Sequence, residues 1–329
     1  MKIAVVILNW NGKALLQQFL PSVIKFSEEA TIYVADNAST DDSITFLEKA
    51  FPSVKIIKNE NNGGYAKGYN DALKNISADV FCLLNSDIEV TKNWLTPVIH
   101  AFNTDKNTAI VQPKILDFKQ KTHFEYAGAA GGFIDKYGFP YCRGRIFNTV
   151  EKDQGQYNDT ANIFWASGAC LFIRQQTFKQ LNGFDKHFFA HMEEIDLCWR
   201  AKNLGYKVKY VGDSTVFHVG GATLNAVNPK KTFLNYRNSL FTLTKNVNRF
   251  LFGIILARVC LDGISGIKFL VALKPKHTFA IIKAHFSYYR HINRLLNQRK
   301  QTKHDIKYYH RTSIVFDYFI LKKKTFKSL

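Results

Sequence analysis

Over residues 3–87 the chain alternates short apolar runs with helical patterns, and each run breaks off in polar residues. The first run, 3–8, ends at Asn9-Trp10-Asn11-Gly12, and 13–26 follows with helical apolar spacing. Residues 31–35 end in Asp36-Asn37-Ala38-Ser39-Thr40-Asp41, ahead of a helix over 43–50, and 54–57 make a third run. A fourth, Phe81-Cys82-Leu83-Leu84, stops at Asn85-Ser86-Asp87. Continuous apolar runs of this length read as strands covered on both faces. Their alternation with helices predicts an α/β fold, a mainly parallel sheet flanked by helices. In such sheets ligands bind beyond the carboxyl ends of the strands, where all these polar clusters fall.

The clusters differ in chemistry. Asp87 suits a hard divalent cation that would in turn hold a diphosphate, although an Asx-turn uses the same residues. The Asp36–Asp41 segment is either a loop with a helix N-cap or a loop that reads a ligand. Asn61-Asn62-Gly63-Gly64-Tyr65-Ala66-Lys67-Gly68 opens a helix, and glycines there expose N–H groups that suit phosphate. A helix over 91–102 is expected next.

Residues 109–165 are less regular: 110–111 and 123–126 read as short strands, and 128–144 as an insert with hairpin pieces covering one side of the site. Residues 164–174 read as a buried strand that begins in small residues. Gly183-Phe184-Asp185 then leads to Glu193-Glu194-Ile195-Asp196, the start of a helix over 193–204. Carboxylates in a first helical turn oppose the macrodipole favourably, and one walled by Phe188, Phe189 and Trp199 is also placed to act as a general base. His218, at the end of a strand, is a structural histidine or a metal ligand.

Charge divides the chain. Residues 1–225 carry 24 Lys and Arg against 23 Asp and Glu, whereas 226–329 carry 21 against 3. A neutral body with so basic a tail seeks polyanions, either anionic lipid or nucleic acid. Residues 250–273 are apolar but interrupted by Arg258, Asp262 and Lys268, which suits an interfacial helix better than a spanning one. Lys274, Lys276, Lys283 and Lys322-Lys323-Lys324 flank it, with Phe316, Tyr318 and Phe319 nearby; a helical subdomain with a solvated basic face is the other reading. The five cysteines are widely spaced with no C-x-x-C, which argues for reduced thiols, and the N-terminus runs straight into a strand. A cytoplasmic protein at the inner face of a membrane is expected.

Taken in order, the segments resemble the inverting family 2 glycosyltransferases of the GT-A fold, especially bacterial rhamnosyltransferase-like members that build surface polysaccharides. The matching pieces are Asn-Trp-Asn, Asp-Asn-Ala-Ser-Thr-Asp, Asn-Asn-Gly-Gly-Tyr-Ala-x-Gly, Asn-Ser-Asp, Trp-x-Ser-Gly-Ala, Gly-Phe-Asp with Glu-Glu-x-Asp, and His-x-Gly-Gly. They cover 1–225 and extend weakly to Tyr236-Arg237-Asn238 and Lys245-Asn246.

The resemblance implies a GT-A nucleotide-sugar-binding and catalytic domain over 1–225, with a basic amphipathic helical region over 226–329. It implies a nucleoside pocket walled by the Leu8 backbone and the Trp10 ring, with Asp36 on the pyrimidine. Asn37, Gly64, Lys67, Asn85, Ser86 and Trp165 would line the donor site. Asp87 stands in the family's D-x-D position and would hold Mg²⁺ or Mn²⁺ with His218. Glu194 would be the base, with Glu193 and Asp196 supporting it, the choice between Glu193 and Glu194 staying open. The donor would be dTDP-rhamnose or a UDP-hexose and the acceptor lipid-linked or a glycan; self-association stays open.

Two other classes compete. A non-catalytic nucleotide-sugar or glycan-binding module would not need Asp87, Glu194 and His218 together. A nucleic-acid binder would explain the basic tail, but no nucleic-acid motif accompanies it, and the tail's apolar run favours lipid.

Overall fold

The structure is a computed structural model that describes residues 1–220, 228–299 and 306–329. Strands β1 (Ile3–Asn9), β2 (Ala30–Asp36), β3 (Lys55–Lys58) and β4 (Val80–Asn85) alternate with helices α1 (Lys13–Phe26), α2 (Ser43–Ala50) and α3 (Gly64–Leu73). There follow β5 (Ile88–Val90), α4 (Leu95–Thr104) and β6 (Thr108–Asp117). The insert holds β7 (Gly132–Ile134), β8 (Pro140–Cys142), β9 (Arg145–Ile146), β10 (Thr149–Val150) and β11 (Thr160–Asn162). The body closes with β12 (Cys170–Arg174), α5 (Gln175–Gln180), α6 (Glu193–Asn203) and β13 (Lys207–His218). The tail contributes α7 (Pro229–Asn246), α8 (Leu251–Val271), α9 (Pro275–Arg290), α10 (Ile292–Arg299) and α11 (Ile314–Phe319).

Among the described residues the main sheet has nine strands, in the order β11-β13-β6-β12-β4-β1-β2-β3, with β5 added to β13. The strands β3, β2, β1 and β4 are parallel, as the apolar runs predict. β12 departs from that rule: it runs antiparallel between β4 and β6. Strand β1 has β2 on one side and β4 on the other, so successive crossovers lead away from it in opposite directions. A crevice opens at such a switch point, beyond the carboxyl ends of β1 and β4.

Side-chain alternation loads both faces of the sheet. Val5 and Ile7 pack with Leu16 and Leu20 of α1, whereas Ala4 and Val6 pack with Tyr69, Ala72 and Leu73 of α3. The four cysteines 82, 142, 170 and 198 are buried free thiols, and Cys260 is exposed.

Three expectations about elements change. The helix expected at 91–102 starts only at Leu95, because the chain leaving strand β5 turns first, with Asn93 at φ 60°. Residues 123–126 form only isolated bridges, Leu116 with Phe124 and His123 with Lys152. Strand β12 is confined to Cys170–Arg174, since Trp165 instead pairs with Gly132 of the insert. The insert does form hairpins, as a four-stranded sheet β10-β9-β8-β7.

The tail is not a separate body. Leu240, Phe241, Leu243, Ile254, Tyr288 and Leu295 join the core cluster that contains Trp199 and Phe188. The boundary expected at 225 lies outside the described residues. Helix α8 is inverted: Ile254, Arg258, Asp262 and Gly266 are its buried stripe, and Phe252, Ile264, Ile267 and Val271 are bare. No helix among the described residues is long and apolar enough to cross a membrane.

Candidate active site

One cavity of about 2050 Å³ lies at the switch point, and most of the motifs open into it. At the end of β1, Leu8 and Trp10 form a wall, with Trp10 half exposed. Asn37 and Gly64 line the same end. Asp36 lies behind this wall, almost fully buried. Asn9 Nδ2 donates to its Oδ2 at 3.1 Å and the Ser39 amide to its Oδ1 at 2.9 Å. Those two bonds fill half of a carboxylate's acceptor capacity and fix its orientation.

The Gly-rich turn behaves differently from expectation. The amides of Tyr65 and Ala66, which open α3, donate to the Phe189 carbonyl at 2.8 and 3.3 Å. The Asn62 side chain takes the Gly64 amide at 3.0 Å. The N–H groups expected to meet phosphate are thus satisfied by protein. Lys67 is ion-paired with Asp71 of its own helix and does not line the cavity. Its expected phosphate contact is replaced by an i,i+4 pair on the helix surface.

The strand pairing delivers the metal candidates. Strand β4 stops at Asn85, and β5 starts one residue after Asp87 and pairs with the end of β13, His218 opposite Ile88. That register sets His218 Nε2 3.1 Å from Asp87 Oδ1 and 3.3 Å from Asn85 Nδ2. On its other side, His218 Nδ1 lies 3.4 Å from Glu125 Oε1. Burial pulls the His218 pKa down, but Asp87 and Glu125 outweigh it and lift it to about 10. Burial also opposes ionisation of Asp87, yet the His218 contact holds its carboxyl below the usual range.

This is a fitting set for a small divalent cation. Asp87 and His218 both face the cavity with donor atoms the distance apart of two ligands on one ion. Glu125 stands where the outer carboxylate of a carboxylate–histidine–metal arrangement stands. Among the described residues no group of three or more His, Cys, Asp or Glu could hold a metal, so the remaining ligands would come from diphosphate and water.

The base candidates sit across the cavity at the start of α6. Phe189, His191 and Met192 all have positive φ, 66°, 69° and 70°, in a run without glycine. Such strain persists only where the surroundings over-determine it. Asn238 does so: its Nδ2 donates to the carbonyls of Phe188, Ala190 and His191 at 3.0, 2.9 and 2.7 Å. The Arg237 guanidinium takes the His187 and Phe188 carbonyls.

Glu193 and Glu194 emerge from this turn into the cavity, and the Oε2 atom of each is buried without a hydrogen-bond partner. Burial, then the charge of Glu194, pushes Glu193 well up. Burial against backbone N–H bonds raises Glu194 to about 7. Asp196 goes the other way. It is fully buried outside the cavity, ion-paired with Lys245 at 2.9 Å and Arg200 at 2.8 Å, and accepts from Asn246. Its expected supporting part in catalysis becomes an anchoring one, because these three donors occupy its oxygens.

Asn85, Ser86, Trp165 and Ser167 all line the cavity; Trp165 Nε1 donates to the Phe133 carbonyl at 2.8 Å. Sequence reasoning passed over Glu125 and did not give Asn238 its role. Nothing local marks Glu125, whereas the Arg237-Asn238 pair was visible as a weak extension of the resemblance.

Residues 4–181, more than half of the chain, match the family described as "Glycosyl transferase family 2". The chain belongs to that family. This glycosyltransferase is 24% identical over 222 residues to the N-acetylglucosaminyl-diphospho-decaprenol L-rhamnosyltransferase of Mycobacterium tuberculosis, covering 62% of this chain and 71% of the relative. Among solved structures it resembles S. aureus TarS 1-349 in complex with UDP-GlcNAc, with a TM-score of 0.57 and 14% identity over 93% of both chains. It also resembles GalNAc-T7 with UDP, GalNAc and Mn²⁺, with a TM-score of 0.58 and 18% identity, covering 74% of this chain and 48% of that one. The chain thus spans about half of that protein's length. At such identities these structures speak for the fold, which is the GT-A arrangement the motifs implied.

Proposed function

We propose that this glycosyltransferase is metal-dependent and inverting. It would move a sugar from a nucleoside-diphosphate sugar to a hydroxyl of a lipid-linked or glycan acceptor in surface polysaccharide synthesis. One observation carries the reading: the Asp87–His218 pair and the unpartnered oxygens of Glu193 and Glu194 meet in a single cavity. A cation site and a raised-pKa carboxylate in one cleft are what glycosyl transfer needs.

In this reading Leu8 and Trp10 wall the nucleoside, with Asn37 and Gly64 beside them. Asp36, buried behind that wall and bonded to Asn9 and Ser39, holds the wall in shape, and its expected contact with the pyrimidine gives way to those two bonds. Asp87 and His218 would hold Mg²⁺ or Mn²⁺, with Asn85 and Ser86 beside them, and a bound ion would supply positive charge against the leaving diphosphate. Glu194 accepts the proton of the acceptor hydroxyl. The oxygen so freed forms its bond to the anomeric carbon while the carbon–diphosphate bond breaks, and the nucleoside diphosphate departs with that electron pair. Attack from the face opposite the leaving group inverts the centre. Glu193, the more strongly raised of the pair, stays protonated and donates to the acceptor. Trp165 and Ser167 border the sugar. The name of the mycobacterial relative favours rhamnose, from dTDP-rhamnose, and a lipid-diphosphate acceptor; the TarS complex favours a UDP-sugar.

The test is release of nucleoside diphosphate from a panel of dTDP- and UDP-sugars, with Mn²⁺ or Mg²⁺ and an extracted lipid-linked acceptor pool. Release from one donor, lost in both Asp87→Ala and Glu194→Gln, supports the reading. Metal-dependent nucleotide binding without release under any acceptor would turn it toward a binding module.

The bare apolar side of α8 and the basic tail support a peripheral place on an anionic membrane surface, at the inner face of the cell membrane. Co-sedimentation with anionic vesicles, weakened by salt, is the expected outcome; no binding at low salt refutes it.

A further inference from the structure

The cavity does not end at the catalytic carboxylates. It continues between α8 and α11, where Leu261, Ile264 and Phe269 line one side and Val315, Phe316 and Ile320 the other. Three of these are largely bare: Ile264 is 64% exposed, Phe316 53% and Ile320 62%. A donor nucleotide sugar, polar along its whole length, has nothing to place in such a limb.

The orientation of α8 is fixed from within. Arg258 Nε donates to Asp262 at 2.7 Å, and its Nη1 to the Tyr137 carbonyl and Ser239 Oγ at 3.0 Å each. His285 Nε2 lies 3.1 Å from the other Asp262 oxygen. Rolling the helix to hide its apolar side would strand this buried ion pair, so the apolar side stays turned outward. Lys268 and Lys274 line the same limb, Lys268 with its ammonium 4.7 Å above the Phe319 ring. Hydrocarbon surface edged by cationic side chains matches an anionic group joined to a long apolar tail. Phe252 and Val271 of α8 and Phe286 of α9 extend the bare surface outside the cavity, so the limb opens onto the face that the tail charge assigns to lipid.

We propose that this limb is the acceptor-lipid subsite: the hydrocarbon chain of a phosphate-bearing lipid acceptor lies between α8 and α11. Its phosphate is held by Lys268 and Lys274 and its sugar end reaches toward Glu194. The proposal rests on the transferase reading and narrows its acceptor to a lipid-borne one. A soluble glycan would leave the limb unfilled, whereas a lipid entering sideways from the bilayer removes its apolar lining from water.

The test is binding of farnesyl diphosphate to the full chain in EDTA, so that no metal holds the diphosphate in the donor end. Inorganic diphosphate and farnesol are run beside it. Farnesyl diphosphate should bind at least about tenfold more tightly than either. Ile264→Glu and Ile320→Glu should each weaken it by about tenfold or more, while Val271→Glu, outside the cavity, stays within about twofold. Because all three sites are exposed, these variants keep the fold.

Farnesyl diphosphate binding no tighter than inorganic diphosphate, or binding indifferent to both cavity variants, overturns the subsite. So does a dimer, seen by light scattering, that Ile264→Glu dissociates, since the limb would then be a self-association surface. Nucleotide binding with Mn²⁺ is read in parallel. If it persists while the lipid arm fails, the subsite falls and the transferase reading stands; if it is absent, both fall.

Discussion

The Phe189 carbonyl accepts the Tyr65 amide at 2.8 Å, which staples the turn before α6 to the Gly-rich turn that opens α3. Gly64 makes the staple possible. It has φ of +73°, and a Cβ there would lie 2.5 Å from the Phe189 oxygen. Gly64→Ala therefore meets both backbone strain and a collision with main chain. It is expected to cost about 1–3 kcal/mol in denaturant unfolding. Transfer should fall further than stability does, because Glu193 and Glu194 ride on the displaced turn. Wild-type transfer by this variant would show that the staple does not position the base.

Glu125 orients His218 from the side away from the cavity. Replacing it by Gln keeps the shape and removes the charge that faces Nδ1. If His218 holds the proposed cation, Mn²⁺ affinity should fall about 10–100-fold, the usual cost of losing a carboxylate behind a ligating histidine. A titration followed by electron paramagnetic resonance reads this directly. Unchanged Mn²⁺ binding would rule out a part for Glu125 in the proposed cation site.

How much of this was legible in the sequence varies by element. The strands β1 to β4 were readable because burial on both faces leaves unbroken apolar runs with polar ends. Strand β5 was not: three residues after Asp87 carry no pattern, and only the pairing of His218 with Ile88 reveals it. Glu125 was invisible for the same reason, since its partner lies far along the chain. The strained turn at 189–192 is hidden in the sequence because Phe, His and Met occupy positions where glycine would signal positive φ. In the sequence Asp196 is indistinguishable from Glu193 and Glu194 as part of one acidic turn. Two residues beyond Glu194 it lies about 200° further round the helix, which aims it at Lys245.

That anchoring has a measurable price. Lys245 bridges Asp196 at 2.9 Å and Asp185 at 3.0 Å, all three side chains nearly solvent-free. Lys245→Met leaves two buried carboxylates short of their cation, at an expected cost of about 3–5 kcal/mol in thermal unfolding. Adding Asp196→Asn should recover part of it, a non-additivity that marks a direct pair. Burial works against both carboxyls, but Lys245 with Arg294 holds Asp185, and Lys245 with Arg200 holds Asp196, below the ordinary range. A folded pKa below the unfolded one adds stability above the unfolded value near 3.9, and that stability is lost as pH falls through the folded value. The wild type should therefore lose stability below about pH 4 more steeply than Asp196→Asn does.

With Glu194 as the proposed base, transfer acquires a defined pH dependence. Burial raises its carboxyl to about 7, and its neighbour Glu193 is raised further by burial and by Glu194 itself. Asp196, also on α6, is paired with Lys245 and Arg200 and ranks last among the causes that raise Glu193. A base must be ionised to accept the acceptor proton, so kcat/KM should rise with pH and level off above an apparent pKa near 7 that belongs to the Glu193–Glu194 pair. Glu194→Gln should lower the plateau about 10²–10⁴-fold. Glu193 is protonated through this range and puts no charge beside Glu194, so Glu193→Gln should leave the acid limb in place while keeping a base. If instead Glu193→Gln abolishes the limb and Glu194→Gln merely shifts it, the two residues exchange roles: Glu193 takes the proton and Glu194 tunes it.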